Sequence, residues 1–160
     1  TTNCSNNYGP WQYPEKLIPL TIYKILNRDN IPIYGDGKNV RDWLFVDDHI
    51  DAILLAIERG KNGKKYCIGG YGEKSNLEVV HSICNLMDKK TNLNQSSLEL
   101  ITFVKDRAGH DKRYAIDSTL ITEELGWHPK YNFNEGLEKT IDWYLENKKW
   151  LYTVFQNNKN

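Results

Sequence analysis

The sequence Val40-Arg41-Asp42-Trp43-Leu44-Phe45-Val46-Asp47-Asp48-His49-Ile50 passes from a strand pattern directly into a helix pattern. Residues 40–46 form an extended, largely apolar run. Asp47 is a suitable N-cap for a helix that continues to Arg59 and ends at Gly60. The apolar stripe of this helix consists of Ile50, Ile53, Leu54 and Ile57. A strand that leads straight into an amphipathic helix favours an α/β fold.

The rest of the chain alternates short strands and helices in the same way. Apolar spacing predicts further helices at residues 15–28, 77–89, 118–125 and 134–150. Extended runs predict further strands at residues 1–4, 32–34, 65–68, 98–104 and 113–116. The Gly35-Asp36-Gly37 turn is not followed by a helix, and the sequence contains no Gly-x-Gly-x-x-Gly fingerprint. The pattern predicts a small mixed α/β domain rather than a full doubly wound sheet.

Composition excludes several classes of protein. The 160 residues carry 21 Lys and Arg against 21 Asp and Glu, which argues against a globally basic nucleic-acid binder. No apolar run approaches the roughly 18 residues of a membrane span, so we expect no membrane partner. Three cysteines without a Cys-x-x-Cys spacing argue against a disulfide scaffold or a zinc module and favour a reducing cytoplasm. Cys84 falls on an apolar helix face, which predicts a packing role.

Three polar stretches are candidates for a binding site: Ser5–Pro10, Arg41–Trp43 and Asp106–Arg113. Adjacent asparagines suit a sugar or amide ligand, although they are also ordinary turn residues. An arginine at the start of a strand suits a phosphate, although it can equally form a surface ion pair. The third stretch is rich in cations and contains a glycine, but its two aspartates leave a solvated loop as an alternative. These stretches together indicate a site for an anionic small molecule.

Other chemistry is disfavoured. Asp47-Asp48-His49 stands at a predicted helix start, where acidic residues are expected without a metal, so we predict no metal site. His81 has no partner at the spacing of metal ligands. The sequence contains neither Gly-x-Ser-x-Gly nor His-Glu-x-x-His. The residues alone therefore do not name a reaction.

Five motifs, taken in order, closely resemble the C-terminal half of the dTDP-glucose 4,6-dehydratases, which belong to the extended short-chain dehydrogenase/reductase group. They are Ser5–Pro10, Pro14–Pro19, Pro32–Gly35, Arg41–Trp43 and Asp106–Asp111. The runs at 114–117 and 124–127 also fit, so the resemblance covers the whole chain. It implies the substrate-binding part of a Rossmann-like, NAD(P)-binding protein, with a small mixed sheet and helices. Residues 1–10 would end a Rossmann strand and its loop, 11–155 would form mostly the substrate domain, and 156–160 a polar tail.

The resemblance also implies a reaction. With NAD as cofactor, members of this family convert dTDP-glucose to dTDP-4-keto-6-deoxyglucose and water, a step towards rhamnose. They act in the cytoplasm as homodimers. The resemblance implies sugar and nucleotide contacts from Asn6, Glu15, Lys16, Pro32, Ile33, Tyr34, Arg41, Asn76, Arg107 and His110. It places Asn7 beside NAD.

None of the family's catalytic residues matches a position in this sequence. The Tyr-x-x-x-Lys pair, the Asp-Glu elimination pair and the Gly-rich NAD loop belong to the family's other half. We therefore expect a fragment that is inactive alone. Two alternatives remain open at this stage. One is a sibling enzyme, such as a UDP-glucose 4,6-dehydratase or another nucleotide-sugar epimerase or decarboxylase. The other is a stand-alone nucleotide-sugar-binding module.

Overall fold

The computed structural model describes residues 1–92, 94–106, 108–109 and 111–157. The strands are β1 (Thr2–Cys4), β2 (Asn6–Tyr8), β3 (Ile31–Tyr34), β4 (Val40–Phe45), β5 (Tyr66–Ile68), β6 (Glu73–Ser75), β7 (Ile101–Val104) and β8 (Arg113–Tyr114). The helices are α1 (Leu17–Leu26), α2 (Val46–Arg59), α3 (Asn76–Thr91), α4 (Thr119–Leu125), α5 (Phe133–Glu146) and α6 (Lys148–Asn157). A 3₁₀ turn at Ser97–Leu100 precedes β7. The expected α/β class with a small mixed sheet is confirmed.

Strand β4 is the centre of the largest sheet. It pairs in parallel with β2 and β8 and antiparallel with β6. In its register with β2, Asn6 lies beside Trp43 and Tyr8 beside Phe45. Two further parallel pairs, β1 with β5 and β3 with β7, complete the strands of the described chain.

The hydrophobic core has two parts because side chains alternate across β4. Trp43 and Phe45 belong to the larger cluster, which α1, α3 and α5 cover. Leu44 points the other way and joins the smaller cluster around Tyr66 and Ile68. One strand thus holds both parts of the core and fixes the direction of each of its side chains.

Helix α2 begins two residues earlier than predicted. Val46 is its first residue and Phe45 occupies the N-cap position, so Asp47 lies in the first turn and not at the cap. The helix packs through Ala52, Ile53, Leu55 and Ala56. Much of the predicted apolar stripe is exposed instead, with relative exposures of 49% for Ile50, 58% for Leu54 and 77% for Ile57.

Local patterns misplaced four other elements. The Asn-rich stretch forms strand β2, although its residues are typical of turns. Strand β6 was not expected, and it leads into α3 through a capping box between Ser75 and Glu78. The helix predicted at 134–150 is divided at Asn147 into α5 and α6. Helix α6 continues to Asn157, so the expected polar tail begins inside a helix.

Two buried carboxylates hold loops against the sheet. Asp42 accepts hydrogen bonds from the main-chain nitrogens of Gly70 and Gly72, both at 2.8 Å. Asp48 accepts in the same way from Lys130 and Tyr131, at 2.9 and 3.1 Å. Asp42 and Asp48 are at most 2% exposed, and these main-chain donors supply the partners that buried carboxylates need. These contacts connect segments far apart in the sequence.

Cys84 is fully buried in the larger core cluster, which agrees with its predicted packing role. Burial, with a smaller contribution from Asp88, raises the pKa of the Cys84 thiol to about 12. Because the thiolate is the reactive form, we expect an alkylating reagent at neutral pH to spare Cys84 and to modify the half-buried Cys4 and Cys67.

Intact-mass and peptide mapping of the alkylated chain would test this prediction. All three cysteines should react in denaturant, which is the control for reagent access. Rapid labelling of Cys84 in the folded chain would contradict it.

Within the described ranges, no helix is both long and apolar enough to cross a membrane. The same residues contain no group of three or more His, Cys, Asp or Glu side chains arranged to hold a metal ion.

Candidate substrate-binding site

A cavity of about 630 Å³ lies between β2, β4, the start of α1 and the start of α3. This volume is typical of small-molecule sites. From β2 and the segment that precedes α1, the predicted residues Asn6, Asn7, Glu15 and Lys16 line it. From the other elements, the predicted residues Pro32, Tyr34, Arg41 and Asn76 line it. The cavity therefore brings together residues that are distant in the sequence.

One face of the central sheet forms a wall of the cavity. Because strand side chains alternate, Arg41 and Trp43 point to the same face of β4. Asn6 lies on that face as the parallel neighbour of Trp43. This wall combines a cation, an amide and an indole N–H.

The Arg41 guanidinium is held by main-chain oxygens. Its Nη1 donates to Val40 at 2.7 Å and its Nη2 to Asp111 at 2.9 Å. Asn39 also donates to the Asp111 oxygen, at 3.1 Å. A guanidinium has five N–H donors, so these two bonds orient the group and leave donors for an anion. No carboxylate among the described residues forms a salt bridge with Arg41.

Asn7 presents an unsatisfied oxygen. Its Nδ2 donates to the Ser5 main-chain oxygen at 3.2 Å and lies 3.1 Å from Cys4 Sγ. Its Oδ1 is buried and has no hydrogen-bond partner in the described part of the chain. A buried acceptor of this kind costs about 1–3 kcal/mol until a donor reaches it. Asn7 is therefore equipped to receive a hydrogen bond from a ligand.

Strand β3 contributes alternate residues only. Pro32 and Tyr34 line the cavity, whereas Ile33 is 2% exposed and packs in the larger core. The expectation that three consecutive side chains line the pocket is therefore corrected for Ile33. The reason is the two-residue period of a strand.

Charged and polar groups at two helix starts complete the rim. Lys16 is the N-cap residue of α1, and its ammonium lies 2.8 Å from the Glu15 carboxylate, with both side chains largely exposed. Asn76 is the first residue of α3, and its main-chain nitrogen donates to Asn39 at 3.1 Å. Glu15, Lys16 and Asn76 therefore bring charged and amide groups to the lining of the cavity.

The predicted residues Arg107 and His110 lie outside the described residues. The neighbouring segment is tied to β4, since Val40 donates to Lys112 at 2.8 Å and β8 pairs with the start of β4. Asp111 accepts from Arg41, as described above. The described residues from Asp111 to Tyr114 therefore lie against Arg41 and the start of β4.

Sequence reasoning missed Gln12, Leu17, Leu20 and Trp43, which also line the cavity. Leu17 and Leu20 supply apolar surface. Gln12 and Trp43 supply polar atoms; Gln12 lies outside the motifs, and Trp43 ends the Arg41–Trp43 stretch but was assigned no role of its own. Their nearness in sequence to Ser5–Pro10 and to Arg41 is the signal that could have identified them.

The segment that bears Gln12 is held against α5 and α6. Trp11 contacts Trp143 and Trp150, with ring centroids 4.7 and 5.3 Å apart. The Tyr144 hydroxyl donates to the Gln12 main-chain oxygen at 2.6 Å. Burial raises the pKa of Tyr144 above its usual range, so this hydroxyl keeps its proton. The segment is thus positioned before any ligand arrives.

The cavity has chemically distinct parts. Arg41 is a donor site suited to phosphate, and the apolar Leu17, Leu20 and Pro32 are suited to a flat ring. Asn7 and Gln12 contribute amide groups. The described cavity contains no cysteine or histidine positioned as a nucleophile or base. The arrangement is suited to binding and orienting a polar, phosphorylated ligand.

Comparisons with known proteins identify relatives of this chain. A curated dTDP-glucose 4,6-dehydratase of Xanthomonas campestris pv. campestris is 51% identical over 156 residues, covering 96% of this chain and 44% of the relative. The chain therefore spans less than half the length of the curated relatives that it matches. The resemblance seen in the sequence is confirmed.

Two solved structures share the fold. The Bacillus anthracis dTDP-glucose 4,6-dehydratase in complex with NAD has a TM-score of 0.87 at 46% identity, covering 96% of this chain and 46% of that chain. The Streptomyces venezuelae enzyme, solved with NAD and TDP, has a TM-score of 0.88 at 40% identity, covering 96% and 45%.

The likeness to these enzymes extends beyond single relatives to a whole family. The family profile described as GDP-mannose 4,6 dehydratase matches residues 1–140, which include every described residue of the cavity wall. The chain belongs to this family.

Proposed function

We propose that the chain is the substrate-binding part of an NAD-dependent dTDP-glucose 4,6-dehydratase. The observation that carries the proposal is the cavity, which gathers eight of the predicted contact residues from β2, β3, β4 and two helix starts. The enzyme would convert dTDP-glucose to dTDP-4-keto-6-deoxyglucose and water. The match to dTDP-glucose 4,6-dehydratases along 96% of the chain supports this choice of substrate.

Arg41, in the wall of the cavity, is proposed to bind the diphosphate. Arg41 is oriented by two main-chain oxygens and offers its remaining donors to phosphate oxygens. Asn76 would add an amide donor. Arg107 and His110 are proposed as further diphosphate contacts on the basis of the family motif alone.

The sugar and the base would lie on either side of the diphosphate. Asn6, Glu15 and Lys16 are proposed to contact the sugar and its phosphate. Pro32 and Tyr34 are proposed to line the base pocket, where a ring can pack on the base. For Ile33 the proposal is limited to main-chain atoms, because its side chain is in the core.

NAD, when bound, would accept hydride from carbon 4 of the sugar and return it to carbon 6 after water is lost. The unpartnered Oδ1 of Asn7 fits a cofactor with an N–H donor. This chain would bind the nucleotide, orient the sugar and exclude water from the cavity. The residues that exchange protons with the sugar are proposed to belong to the family's other half.

The boundaries between the Rossmann segment, the substrate domain and the polar tail are also proposals. Residues 1–10 would complete the Rossmann sheet through β1 and its loop, 11–155 would form mostly the substrate domain, and 156–160 the polar tail. A cytoplasmic homodimer active in rhamnose synthesis is proposed from the family resemblance. Three cysteines without a disulfide among them are consistent with a reducing compartment.

Isothermal titration of dTDP and UDP into the chain tests the proposed function. We expect dTDP to bind and to compete with dTDP-glucose for one site. Tighter binding of UDP would favour a UDP-sugar enzyme instead. Failure of a demonstrably folded chain to bind either nucleotide would contradict the proposal.

The chain alone is expected to give no keto-sugar product from dTDP-glucose, even with NAD present. The reason is that none of the family's proton-transfer residues matches a position in this sequence. A complete relative, such as the Xanthomonas campestris enzyme, is the positive control in the same assay. Product formation by the purified 160-residue chain would contradict this expectation.

A further inference from the structure

Four buried side-chain atoms of the described residues have no hydrogen-bond partner, and three of them belong to residues that line the cavity. The four atoms are Ser5 Oγ, Asn7 Oδ1, Gln12 Oε1 and Trp43 Nε1. Native proteins leave few such atoms unpaired. The residues Asn7, Gln12 and Trp43 line the cavity. This clustering indicates that a bound molecule supplies the missing partners.

The Gln12 amide has a defined orientation. Its Nε2 donates to the Asn7 main-chain oxygen at 2.7 Å. Because a carbonyl oxygen can only accept, the nitrogen must occupy that position, and Oε1 is left as an acceptor. An acceptor attracts hydroxyl or N–H groups and repels phosphate oxygens. Gln12 is therefore unsuited to the diphosphate and suited to a ligand hydroxyl.

Trp43 provides the complementary atom. Trp43 is only 6% exposed, and its indole makes an edge contact with the Tyr8 ring and a tilted contact with the Phe133 ring, at 6.2 and 6.4 Å between centroids. Its Nε1 is a donor and cannot accept. Hydroxyl groups are the common ligand groups that both donate and accept, so they satisfy Gln12 and Trp43 alike.

We propose that Gln12 and Trp43 are specificity-determining residues that recognise hydroxyl groups of the sugar. Gln12 Oε1 accepts a hydrogen bond from a sugar hydroxyl, and Trp43 Nε1 donates one to a sugar oxygen. This inference rests on the proposed function, because it assumes a nucleotide sugar in the cavity. It adds two contacts that the family motifs do not assign.

Gln12 is also well placed for such a role. Its main chain is fixed by the Tyr144 hydroxyl, and the neighbouring Trp11 packs on α5 and α6. A side chain held in this way loses little freedom when a ligand binds, which favours discrimination between ligands. Its hydrogen bond to Asn7 links the sugar contact to the residue proposed to lie beside NAD.

The test compares dTDP with dTDP-glucose in isothermal titrations of the chain. The unaltered chain should bind dTDP-glucose more tightly than dTDP. Gln12→Met and Trp43→Phe should each weaken the binding of dTDP-glucose by about threefold to tenfold. Each should change the affinity for dTDP by less than about twofold. Trp127→Phe is the matched control, since it removes a buried indole from the smaller core cluster, and Trp127 does not line the cavity. It should preserve the difference between the two ligands.

Analogues of dTDP-glucose that each lack one sugar hydroxyl make the test specific. One analogue will lack the hydroxyl that donates to Gln12. Its affinity should be the same for the unaltered chain and for Gln12→Met, as in a double-mutant cycle, because neither complex can form that hydrogen bond. Equal weakening of dTDP and dTDP-glucose in both variants would overturn the inference, because it would indicate a purely structural role. The inference is also overturned, while the proposed function stands, if dTDP binds well but dTDP-glucose binds no more tightly than dTDP. Absence of dTDP binding would remove the proposed function itself.

Discussion

Arg41→Ala is expected to weaken dTDP binding by about 10- to 100-fold. The guanidinium is the cation of the cavity wall, and one charged hydrogen bond contributes about 1.5–3 kcal/mol. Its two main-chain contacts orient it in advance, so most of the attraction is available to the ligand. Isothermal titration gives the affinity directly. Arg41→Lys should be intermediate, because it keeps the charge but not the forked donor geometry.

Arg113→Ala is the matched control for charge. Arg113 lies on β8 near the same strand end, but its guanidinium is paired with Glu73 on the surface, at 2.6 and 3.0 Å. The substitution Arg113→Ala removes the same unit of charge as Arg41→Ala but leaves the lining of the cavity unchanged. Equal losses of affinity in Arg41→Ala and Arg113→Ala would show that the general field of the protein, and not a phosphate contact, attracts dTDP. A thermal melt of each variant checks that the fold is retained.

Gly70→Ala is expected to destabilise the fold by about 3 kcal/mol, which corresponds to a fall of roughly 6–12 °C in Tm for a domain of this size. A Cβ at this position would lie 2.0 Å from the Trp43 main-chain oxygen and 2.9 Å from the Leu44 Cα. Main-chain atoms of a central strand cannot move aside as a flexible side chain can. The loop that carries Gly70 cannot move away from β4 either, because the Asp42 carboxylate accepts hydrogen bonds from the main-chain nitrogens of Gly70 and Gly72.

The control is Gly63→Asn, because a Cβ at Gly63 would meet no atom within 4 Å apart from its own chain neighbours. Its φ of 80° lies in the left-handed region that Asn tolerates, so the change in stability should stay within about 0.5 kcal/mol. Chemical denaturation with urea measures both variants. An unaltered midpoint for Gly70→Ala would contradict the close approach of the two segments. We also expect weaker dTDP binding in Gly70→Ala, because β4 carries Arg41.

The sequence predicted the parts of this fold that depend on local patterns. The run from Val40 into α2 was recognised as a strand followed by a helix because hydrophobic periodicity reports both. The N-cap was misplaced by two residues, since Phe45 caps α2 without a side-chain hydrogen bond. Helix α6 was missed because Asn147 interrupts the helix without the glycine or proline that usually marks an end.

Long-range contacts explain what the sequence could not predict. Strand β2 forms from turn-like residues because β4 supplies a parallel partner. The exposure of Ile50, Leu54 and Ile57 depends on which face of α2 meets the sheet, and periodicity alone does not determine that. Most of the predicted cavity residues came from the family motifs. Gln12 and Trp43 became recognisable only when the hydrogen-bond partners of each buried atom were known.

The distribution of the five tryptophans provides two separate optical signals. Trp11, Trp143 and Trp150 lie within about 5.5 Å of one another, close enough for their electronic transitions to couple in the near-ultraviolet circular dichroism spectrum. That band reports whether α6 is docked on α5 and on the segment before α1. Trp43 lines the cavity, so its fluorescence reports occupancy of the site. Folding of the C-terminal helices and ligand binding can thus be followed in the same cuvette without a label.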